Sequence, residues 1–246
     1  MAHTLEVIAY CIEACRIAQL AGADRIELCD NPGDGGTTPS AGVIRRAKEI
    51  CSIPIFPIIR PRGGDFLYSD DEFRIMMTDI SYCRDIGCEG VVLGILDKGG
   101  HVDSRRTSAL TDLAYPMDVT FHRAFDRVKD PFQSLEDIIR CGCTRILTSG
   151  LKPTATEGIE LLKSLHDAAS GRITVMPGSG IRASNISALA TSTGSRELHS
   201  SAAIKVDSQM EYRNETMHER LQHVMPDLEE IMAMKSALTS LGIDPL

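Results

Sequence analysis

The sequence predicts one (β/α)8 barrel of the TIM type, followed by a C-terminal helical extension. Short apolar stretches that suit β-strands alternate with helical stretches from the N-terminus to residue 203. Strand starts recur roughly every 20 to 35 residues, which suits βα units with right-handed crossovers, and eight such units close a barrel. Polar residues repeatedly follow a strand, as in barrels that build one site from loops at the carboxyl ends of their strands.

The elements follow from local signals along the chain. Ser40 is a helix cap, Gly22 and Gly87 end two helices, and Asp130 precedes another. The strands are predicted at residues 5–9, 24–28, 54–59, 90–93, 118–121, 145–148, 173–176 and 196–199. The helices between them are predicted at residues 11–20, 40–51, 69–86, 103–113, 131–141, 154–169 and 183–190.

Residues 1–203 form the predicted barrel, and residues 204–246 are expected to complete or extend the same domain. Residues 205–214 are polar and are predicted to form a loop. A final amphipathic helix is predicted to begin at Asp227. Its predicted apolar face consists of Leu228, Ile231, Met232, Leu238 and Leu241.

An open, doubly wound sheet is the competing architecture. Such a sheet normally carries a G-x-G-x-x-G fingerprint in its first βα turn. Residues 10–13, which form that turn here, contain no glycine. The sequence therefore favours the barrel.

Composition excludes several classes of partner. The chain has 246 residues, a net charge of -8 and 43% hydrophobic residues, so we expect a globular protein that binds neither nucleic acid nor an anionic membrane. No apolar run approaches the roughly 18 residues of a membrane span, and the N-terminus lacks a basic region before an apolar one. The eight cysteines are spread along a chain without a secretion signal, which indicates reduced thiols and a cytoplasmic location. None forms a C-x-x-C pair, so a structural zinc site is not expected.

Strand parity predicts what the barrel interior contains. Side chains alternate between the two faces of a strand. On each strand we therefore assign as inward the polar residue at its carboxyl end, such as His122, and the residues that alternate with it. We interpret the lower inward residues as a structural charge network, because isolated interior charges cost several kcal/mol. The upper inward residues indicate a site. The predicted inward residues are Glu6, Arg25 and Glu197 in the lower layer, Glu27, Arg60, His122 and His199 at the upper rim, and Cys29, Thr120 and Ser149.

The upper rim predicts acid–base chemistry on an anionic ligand. Carboxylates and histidines at strand ends can exchange protons, and arginines can hold an anion. The candidate catalytic residues are Glu27, His122, Asp126 and His199. The candidate ligand-binding residues on other loops are Arg60, Arg62, Arg123 and Ser149.

The loops after strands seven and eight predict an anion cradle. Gly178, Ser179 and Gly180 follow the seventh strand, and Ser200 ends the eighth. Glycines let the backbone approach a ligand, and barrels commonly bind phosphate at these two loops. The alternative is that both segments are ordinary tight turns.

Two cysteines are candidate soft-metal ligands. Cys11 follows strand one and Cys29 ends strand two, so both could lie at the mouth, where thiolates would select Cu(I). Cys141 and Cys143 flank one glycine but are predicted at the opposite end of the barrel. The methionines of the C-terminal segment are more typical of packing.

Several long motifs resemble one known family. The blocks are Gly22–Cys29 (G-A-D-R-I-E-L-C), Gly35–Ser40 (G-G-T-T-P-S), Ile59–Phe66 (I-R-P-R-G-G-D-F), Thr120–Asp126 (T-F-H-R-A-F-D), Leu147–Gly150 (L-T-S-G) and Val175–Gly178 (V-M-P-G). Together they resemble the copper homeostasis protein CutC family over roughly the first 200 residues. The resemblance implies a TIM barrel, a cytoplasmic protein, a homo-oligomer (dimer or tetramer) and copper binding.

The carry-over of functional residues is uneven. Cys29 lies where the family has a cysteine proposed as a copper ligand, but Ile8 replaces the family's second cysteine, unless Cys11 supplies the missing thiol. Ser179 lies where the family usually has glycine. The polar residues at the mouth are better retained than the copper pair. Those in matching blocks are Glu27, Arg60, Arg62, Asp65, His122, Arg123, Asp126, Ser149 and His199.

Two functions therefore remain open at the level of sequence. In the first, the protein binds Cu(I) through Cys29 and Cys11. In the second, it is an enzyme that acts on a small anionic, possibly phosphorylated metabolite in a pocket lined by arginine, histidine and glutamate.

Overall fold

Eight parallel strands form a barrel in the computed structural model, which describes residues 2–219 and 221–241. The barrel strands are β1 (Thr4–Ala9), β2 (Arg25–Leu28), β3 (Ile55–Pro57), β4 (Gly90–Leu93), β5 (Asp118–Phe121), β6 (Arg145–Thr148), β7 (Thr174–Pro177) and β8 (Glu197–Ser200). The helices between them are α1 (Ile12–Leu20), α2 (Ala41–Ile50), α3 (Asp70–Asp85), α4 (Ser104–Ala114), α5 (Pro131–Arg140), α6 (Ile159–Ala169) and α7 (Ile186–Thr193). This alternation confirms the predicted fold class.

The barrel closes from two four-stranded parallel sheets. One sheet has the order β3-β2-β1-β8 and the other β4-β5-β6-β7. A parallel bridge between Ile58 and Val92 joins them on one side, where the Ile59 amide donates to the Val92 carbonyl at 2.7 Å. On the other side β7 packs beside β8. All carboxyl ends therefore surround one mouth.

The alternation of side chains separates an apolar outer layer from a polar interior. Val7 and Ile26 pair in the β1–β2 register and belong to the buried apolar core that contains residues of the surrounding helices. Their neighbours Glu6 and Arg25 also pair, and both are buried. The charged side chains are thus inside the barrel, as their parity predicted.

Local capping sets where several helices begin. The Ser69 hydroxyl accepts the Glu72 amide at 3.2 Å, and the Glu72 carboxylate accepts the Ser69 amide at 2.7 Å, which forms a capping box at α3. Two predicted helices begin later than expected. α6 begins at Ile159 and α7 at Ile186, because turns occupy residues 154–158 and 183–185.

The segment after the barrel contains a hairpin that the sequence analysis missed. Residues 205–214 were predicted to be a loop, but Ala203–Asp207 forms β9, which pairs antiparallel with β10 (Gln222–Pro226). The polar residues mislead because β9 has no buried residue and the first two residues of β10, Gln222 and His223, are exposed. β10 packs on α1 and β1.

The final helix, α8 (Leu228–Leu241), packs on α1 and α7. Its buried residues are Ile231, Met234 and Leu238, whereas Met232 and Leu241 are exposed, so the predicted apolar face was wrong at these two positions. No helix in the described ranges is long and apolar enough to cross a membrane. Residues 242–246, part of the segment predicted to extend the domain, lie outside the described residues.

A substitution at Gly90 would test how tightly the barrel interior is packed. A Cβ at this position would overlap the ring of Phe56, which packs under the Arg25 guanidinium at 5.0 Å. We expect Gly90→Ala to lower the free energy of unfolding by about 1–3 kcal/mol, because overpacking must displace that ring.

Urea unfolding of both glycine variants checks this expectation. The matched control is Gly42→Ala in α2, where an added Cβ is 3.8 Å from the Ser40 hydroxyl and should be neutral or slightly stabilising. Equal stability of the two variants would contradict the described interior.

Candidate functional site

A cavity of about 210 Å³ opens at the carboxyl ends of the strands. Its wall combines charged and polar side chains with an apolar side. The lining residues are Ile8, Tyr10, Glu27, Gly35, Ile58, Arg60, Phe66, His122, Arg123, Leu147, Ser179, Gly180, His199, Ser200 and Ser201. The cavity therefore includes most of the predicted upper rim.

Arg60 is a buried cation without a carboxylate partner. Its Nη1 donates to the carbonyls of Asp34 at 2.6 Å and Gly36 at 2.7 Å, and its Nη2 donates to the carbonyl of Gly64 at 3.1 Å. The guanidinium also lies 5.0 Å from the centre of the Phe66 ring. Among the described residues, no aspartate or glutamate forms an ion pair with it. The cavity wall thus carries an uncompensated positive charge.

His122 is a buried neutral imidazole. Its Nδ1 accepts the Ala124 amide at 3.2 Å, which leaves the ring proton on Nε2. Burial and the positive charge of Arg60 lower the pKa of His122 to about 3, so the ring is neutral at physiological pH. Within residues 2–219 and 221–241, Nε2 is buried and has no hydrogen-bond partner. The ring therefore carries one buried donor that the described residues leave unsatisfied.

Glu27 and His199 lie side by side in the cavity wall. The His199 Nε2 is 3.7 Å from the Glu27 carboxylate, and its Nδ1 is 2.7 Å from the Glu6 carboxylate. Burial raises the pKa of Glu27 to about 7, although His199 opposes this shift. Burial disfavours the His199 imidazolium, but the hydrogen bond to Glu6 and the charge of Glu27 raise its pKa. Both groups can therefore carry protons near neutral pH.

A charge network forms the floor beneath the cavity. Arg25 bonds the Glu6 carboxylate through Nε and Glu197 through Nη2 at 2.7 Å. Burial opposes ionisation of Glu6, yet Arg25 and His199 lower its pKa to about 2. Arg145 bonds Glu197 at 2.6 Å. Arg145 was not assigned to this network from sequence, although it shares parity with Ser149 on β6.

Asp126 and Ser149 support a loop and do not line the cavity. Asp126 is buried and pairs with Arg123 at 2.7 Å. It also accepts the Thr148 hydroxyl at 2.5 Å and the amides of Ser149 at 3.0 Å and Leu151 at 3.2 Å. With its oxygens occupied, Asp126 positions Arg123 at the cavity wall rather than facing a ligand itself.

Arg62 and Asp65 lie on the rim outside the cavity. Arg62 bonds Asp65 at 2.9 Å and Glu72 at 2.6 Å, and it donates to the Leu67 carbonyl at 2.8 Å. The Asp65 side chain is 70% exposed. These bonds fix the β3–α3 loop, so the structure does not bring either residue to the ligand space.

The predicted anion cradle lies at the cavity. Ser179, Gly180 and Ser200 line it, whereas Gly178 is buried against Leu147. Ser179 has a positive φ of 80°, and its hydroxyl donates to the Pro153 carbonyl at 2.8 Å. The Ser200 hydroxyl donates to the Ile181 carbonyl at 2.8 Å. Both hydroxyls thus hold the loops after β7 and β8 in place. These loops line the cavity, but the two hydroxyl protons are used within the protein.

The match to a known family covers the whole barrel. A family model described as the CutC family matches residues 3–204, which include all eight barrel strands. The chain belongs to the CutC family. The resemblance seen in the sequence motifs is therefore confirmed.

Individual CutC proteins support this membership. A CutC family protein of Chromobacterium violaceum is 52% identical over 213 residues, which cover 87% of this chain and 86% of that protein. The human copper homeostasis protein cutC homolog is 45% identical and covers 87% of this chain and 78% of its own. A crystal structure of CutC from Streptococcus agalactiae matches with a TM-score of 0.78 at 34% identity, over 81% of this chain and 98% of that one.

The candidate copper thiols of this CutC family member lie in different environments. Cys29 is in a buried apolar cluster with Ile8, Phe56, Ile58 and Val92, and burial raises the pKa of its thiol well above the ordinary value. The described residues of this cluster include no second thiol. With Ile8 at the family's second cysteine position, the Cys29 environment does not provide a set of copper donors.

Cys11 does not replace the missing thiol beside Cys29. Its sulfur is directed to the Met225 sulfur of β10 at 3.6 Å, and it packs against the outer core rather than the Cys29 cluster. The described residues contain no group of three or more histidines, cysteines, aspartates or glutamates arranged around a metal position.

Several cavity residues of the CutC chain were not singled out as site residues from sequence. Phe66 lies in a family block, and its ring is 4.9 Å from the His122 ring and 5.0 Å from Arg60. Tyr10 and Leu147 also line the cavity. Leu147 shares parity with Ser149, so strand alternation could have found it, whereas no local signal identifies Tyr10.

Glu27→Gln should alter the pH dependence of stability. The pKa of Glu27 is raised from 4.5 to about 7 on folding, so the stability that its protonated form contributes is lost as pH rises through this window. At pH 8 ionised Glu27 costs the folded state on the order of 3 kcal/mol. The variant should therefore be more stable than wild type at pH 8 and similar to it below pH 5.

Urea unfolding at the two pH values measures this difference. Glu211→Gln, at an exposed position, is the control and should show no such dependence. A pH-independent difference between Glu27→Gln and wild type would contradict the described burial of Glu27.

Proposed function

We propose that this member of the CutC family is an enzyme that binds a small anionic metabolite in the barrel cavity. The uncompensated buried charge of Arg60 is the observation that carries this proposal. Burying a cation is costly unless an anion or hydrogen bonds offset it. Backbone carbonyls supply part of that compensation, and a bound anion would supply the rest.

Three other arginines in and around the barrel differ from Arg60 because each pairs with a carboxylate. Arg25 and Arg145 each bond carboxylates in the floor, and Arg123 bonds Asp126. Arg60 alone among these four has only carbonyl partners. Three of the four arginines are therefore neutralised by a carboxylate. Arg60, at the cavity wall, is the one of these four that no carboxylate of the described residues neutralises.

The size and wall of the cavity favour a small ligand with an anionic end. About 210 Å³ is below the usual range for drug-sized ligands. Arg60 and Arg123, together with the loops at Ser179–Gly180 and Ser200–Ser201, would hold a phosphate or carboxylate. Glu27, His122 and His199 would supply acid–base groups at the other end.

Copper binding is a second candidate function. The names of curated relatives support it, since the human relative is a copper homeostasis protein cutC homolog. The observation in this chain that favours it is the pair of soft donors Cys11 and Met225, whose sulfurs are 3.6 Å apart. We place the candidate Cu(I) contact there rather than at Cys29.

Location and assembly are part of the same proposal. All eight cysteines lie in the described ranges as free thiols, which supports action in a reducing cytoplasm. Exposed apolar side chains at Ile204, Met210, Tyr212 and Met217 support self-association as a dimer or tetramer. Light scattering on the purified protein would give the subunit number.

Inorganic phosphate and 2-phosphoglycolate test the anion site by thermal shift. We expect both to raise the Tm of wild type, because a ligand that binds only the folded state stabilises it. Arg60→Met should remove the shift and Arg60→Lys, which keeps the charge, should retain part of it. Arg105→Met, at an exposed position of α4, loses the same charge and should keep the full shift. Equal shifts in all four proteins would contradict the proposal.

An anaerobic Cu(I) competition titration against a chelator of known affinity tests the second candidate. Cys11→Ala and Met225→Leu should each weaken binding at least tenfold, because each removes one of two soft donors. Cys29→Ala should bind like wild type. Loss of binding in Cys29→Ala, or equal affinity of all four proteins, would contradict the placement at Cys11.

A further inference from the structure

The groups that face each other across the cavity indicate a reaction class. Glu27 is on β2 and His122 directly follows β5, with β3 and β4 between them in the cyclic order. Their side chains therefore line facing parts of the wall, with the ligand space between them. A ligand held there meets a carboxylate on one side and an imidazole on the other.

His122 is arranged as a neutral hydrogen-bond donor and not as a base. Its only possible acceptor nitrogen, Nδ1, is occupied by the Ala124 amide, and Gly94 leaves no room for a side chain beside it. The Nε2 proton is buried and unpartnered in the described part of the chain. A donor in this state matches an oxygen that gains negative charge during a reaction, such as the oxygen of a carbonyl group.

Glu27 is arranged as the proton acceptor. Behind it lies His199, which the fully buried Glu6 carboxylate holds at 2.7 Å. Glu6 is in turn paired with Arg25. This chain of groups keeps charge balanced when Glu27 gains or loses a proton, and its raised pKa of about 7 lets both forms exist at neutral pH.

The remaining wall offers no covalent route. Within the described part of the chain, the lining residues include neither lysine nor cysteine. The hydroxyls of Ser179 and Ser200 donate to backbone carbonyls, the Ser201 hydroxyl accepts the Ala203 amide at 3.4 Å, and none of the three bonds a histidine of the described residues. Proton transfer is the chemistry that these side chains can perform.

We propose that the cavity catalyses proton transfer at the carbon next to a carbonyl group of a small anionic aldehyde or ketone, with Glu27 as base and His122 as donor to the carbonyl oxygen. The inference rests on the proposed function, because Arg60 and Arg123 hold the anionic group of the same ligand. It assigns the substrate class and the reaction type to that site.

The step balances without an added reactant. The C–H bond breaks and its proton forms an O–H bond on Glu27, while the electron pair forms a carbon–carbon double bond. The carbonyl electron pair moves to the oxygen, which accepts the His122 Nε2–H. Return of the proton from Glu27 to the same carbon restores the substrate and exchanges that C–H. Return to the former carbonyl carbon, together with transfer of the neighbouring hydroxyl proton to the former carbonyl oxygen, gives the isomer; both outcomes restore the carboxylate.

Deuterium exchange followed by ¹H NMR tests this inference. The probes are glycolaldehyde phosphate, dihydroxyacetone phosphate and D-ribulose 5-phosphate in D₂O. Wild type should exchange the C–H next to the carbonyl in at least one probe. Glu27→Gln should lower the exchange rate at least 100-fold, and His122→Gln should lower it roughly 10- to 100-fold.

Matched controls exclude a contaminating isomerase and misfolding. Glu211→Gln, purified in the same way, should exchange at the wild-type rate, and Glu27→Asp should keep partial activity if the carboxylate acts directly. Circular dichroism checks that each variant is folded. Exchange that persists in Glu27→Gln, or the absence of exchange with all three probes, would overturn the inference.

Thermal shifts with the same three probes separate the two proposals. If the probes stabilise wild type but not Arg60→Met, and no exchange occurs, the anion site stands and the reaction class is wrong. If the probes neither stabilise the protein nor exchange, both proposals fail.

Discussion

The pairing of charges inside the barrel is the constraint on which the site depends. A barrel interior filled with Glu6, Arg25, Arg145 and Glu197 is stable only if each charge meets its opposite, because removing one partner leaves an uncompensated buried ion. Arg25 joins Glu6 to Glu197, and Arg145 also bonds the Glu197 carboxylate. The floor is thereby closed and electrically balanced, and it provides a fixed base for the groups above it.

Above this floor, at the level of the cavity, the charged groups of the described residues are not all paired with opposite charges. Glu6 extends the network upward through His199 to Glu27, whose pKa burial raises, so protons can be exchanged at this level. Across the cavity no carboxylate of the described ranges pairs with Arg60, and its charge helps to keep His122 neutral. Membership of the CutC family connects the chain to copper homeostasis proteins, and the cavity adds a buried arginine, a neutral histidine and a carboxylate with a raised pKa.

Much of this arrangement could be predicted from sequence because strand alternation is a strict rule. Parity placed Glu27, Arg60, His122 and His199 inside, and all four line the cavity. Parity could not show which polar residues would be fully hydrogen-bonded within the protein. Asp126 is one, because its carboxylate accepts loop amides. It also could not predict that Cys11 would contact Met225, since that contact depends on a hairpin 214 residues away.

The protonation state of His122 is the most direct test of this account. Long-range ¹H–¹⁵N NMR spectra would report it from about pH 5 to about pH 8, with the His122→Gln spectrum giving the assignment. We predict a neutral ring with its proton on Nε2 throughout this range, and a change in the Nε2–H resonance when dihydroxyacetone phosphate is added. A ring that titrates near the ordinary histidine pKa, or that carries its proton on Nδ1, would contradict the account.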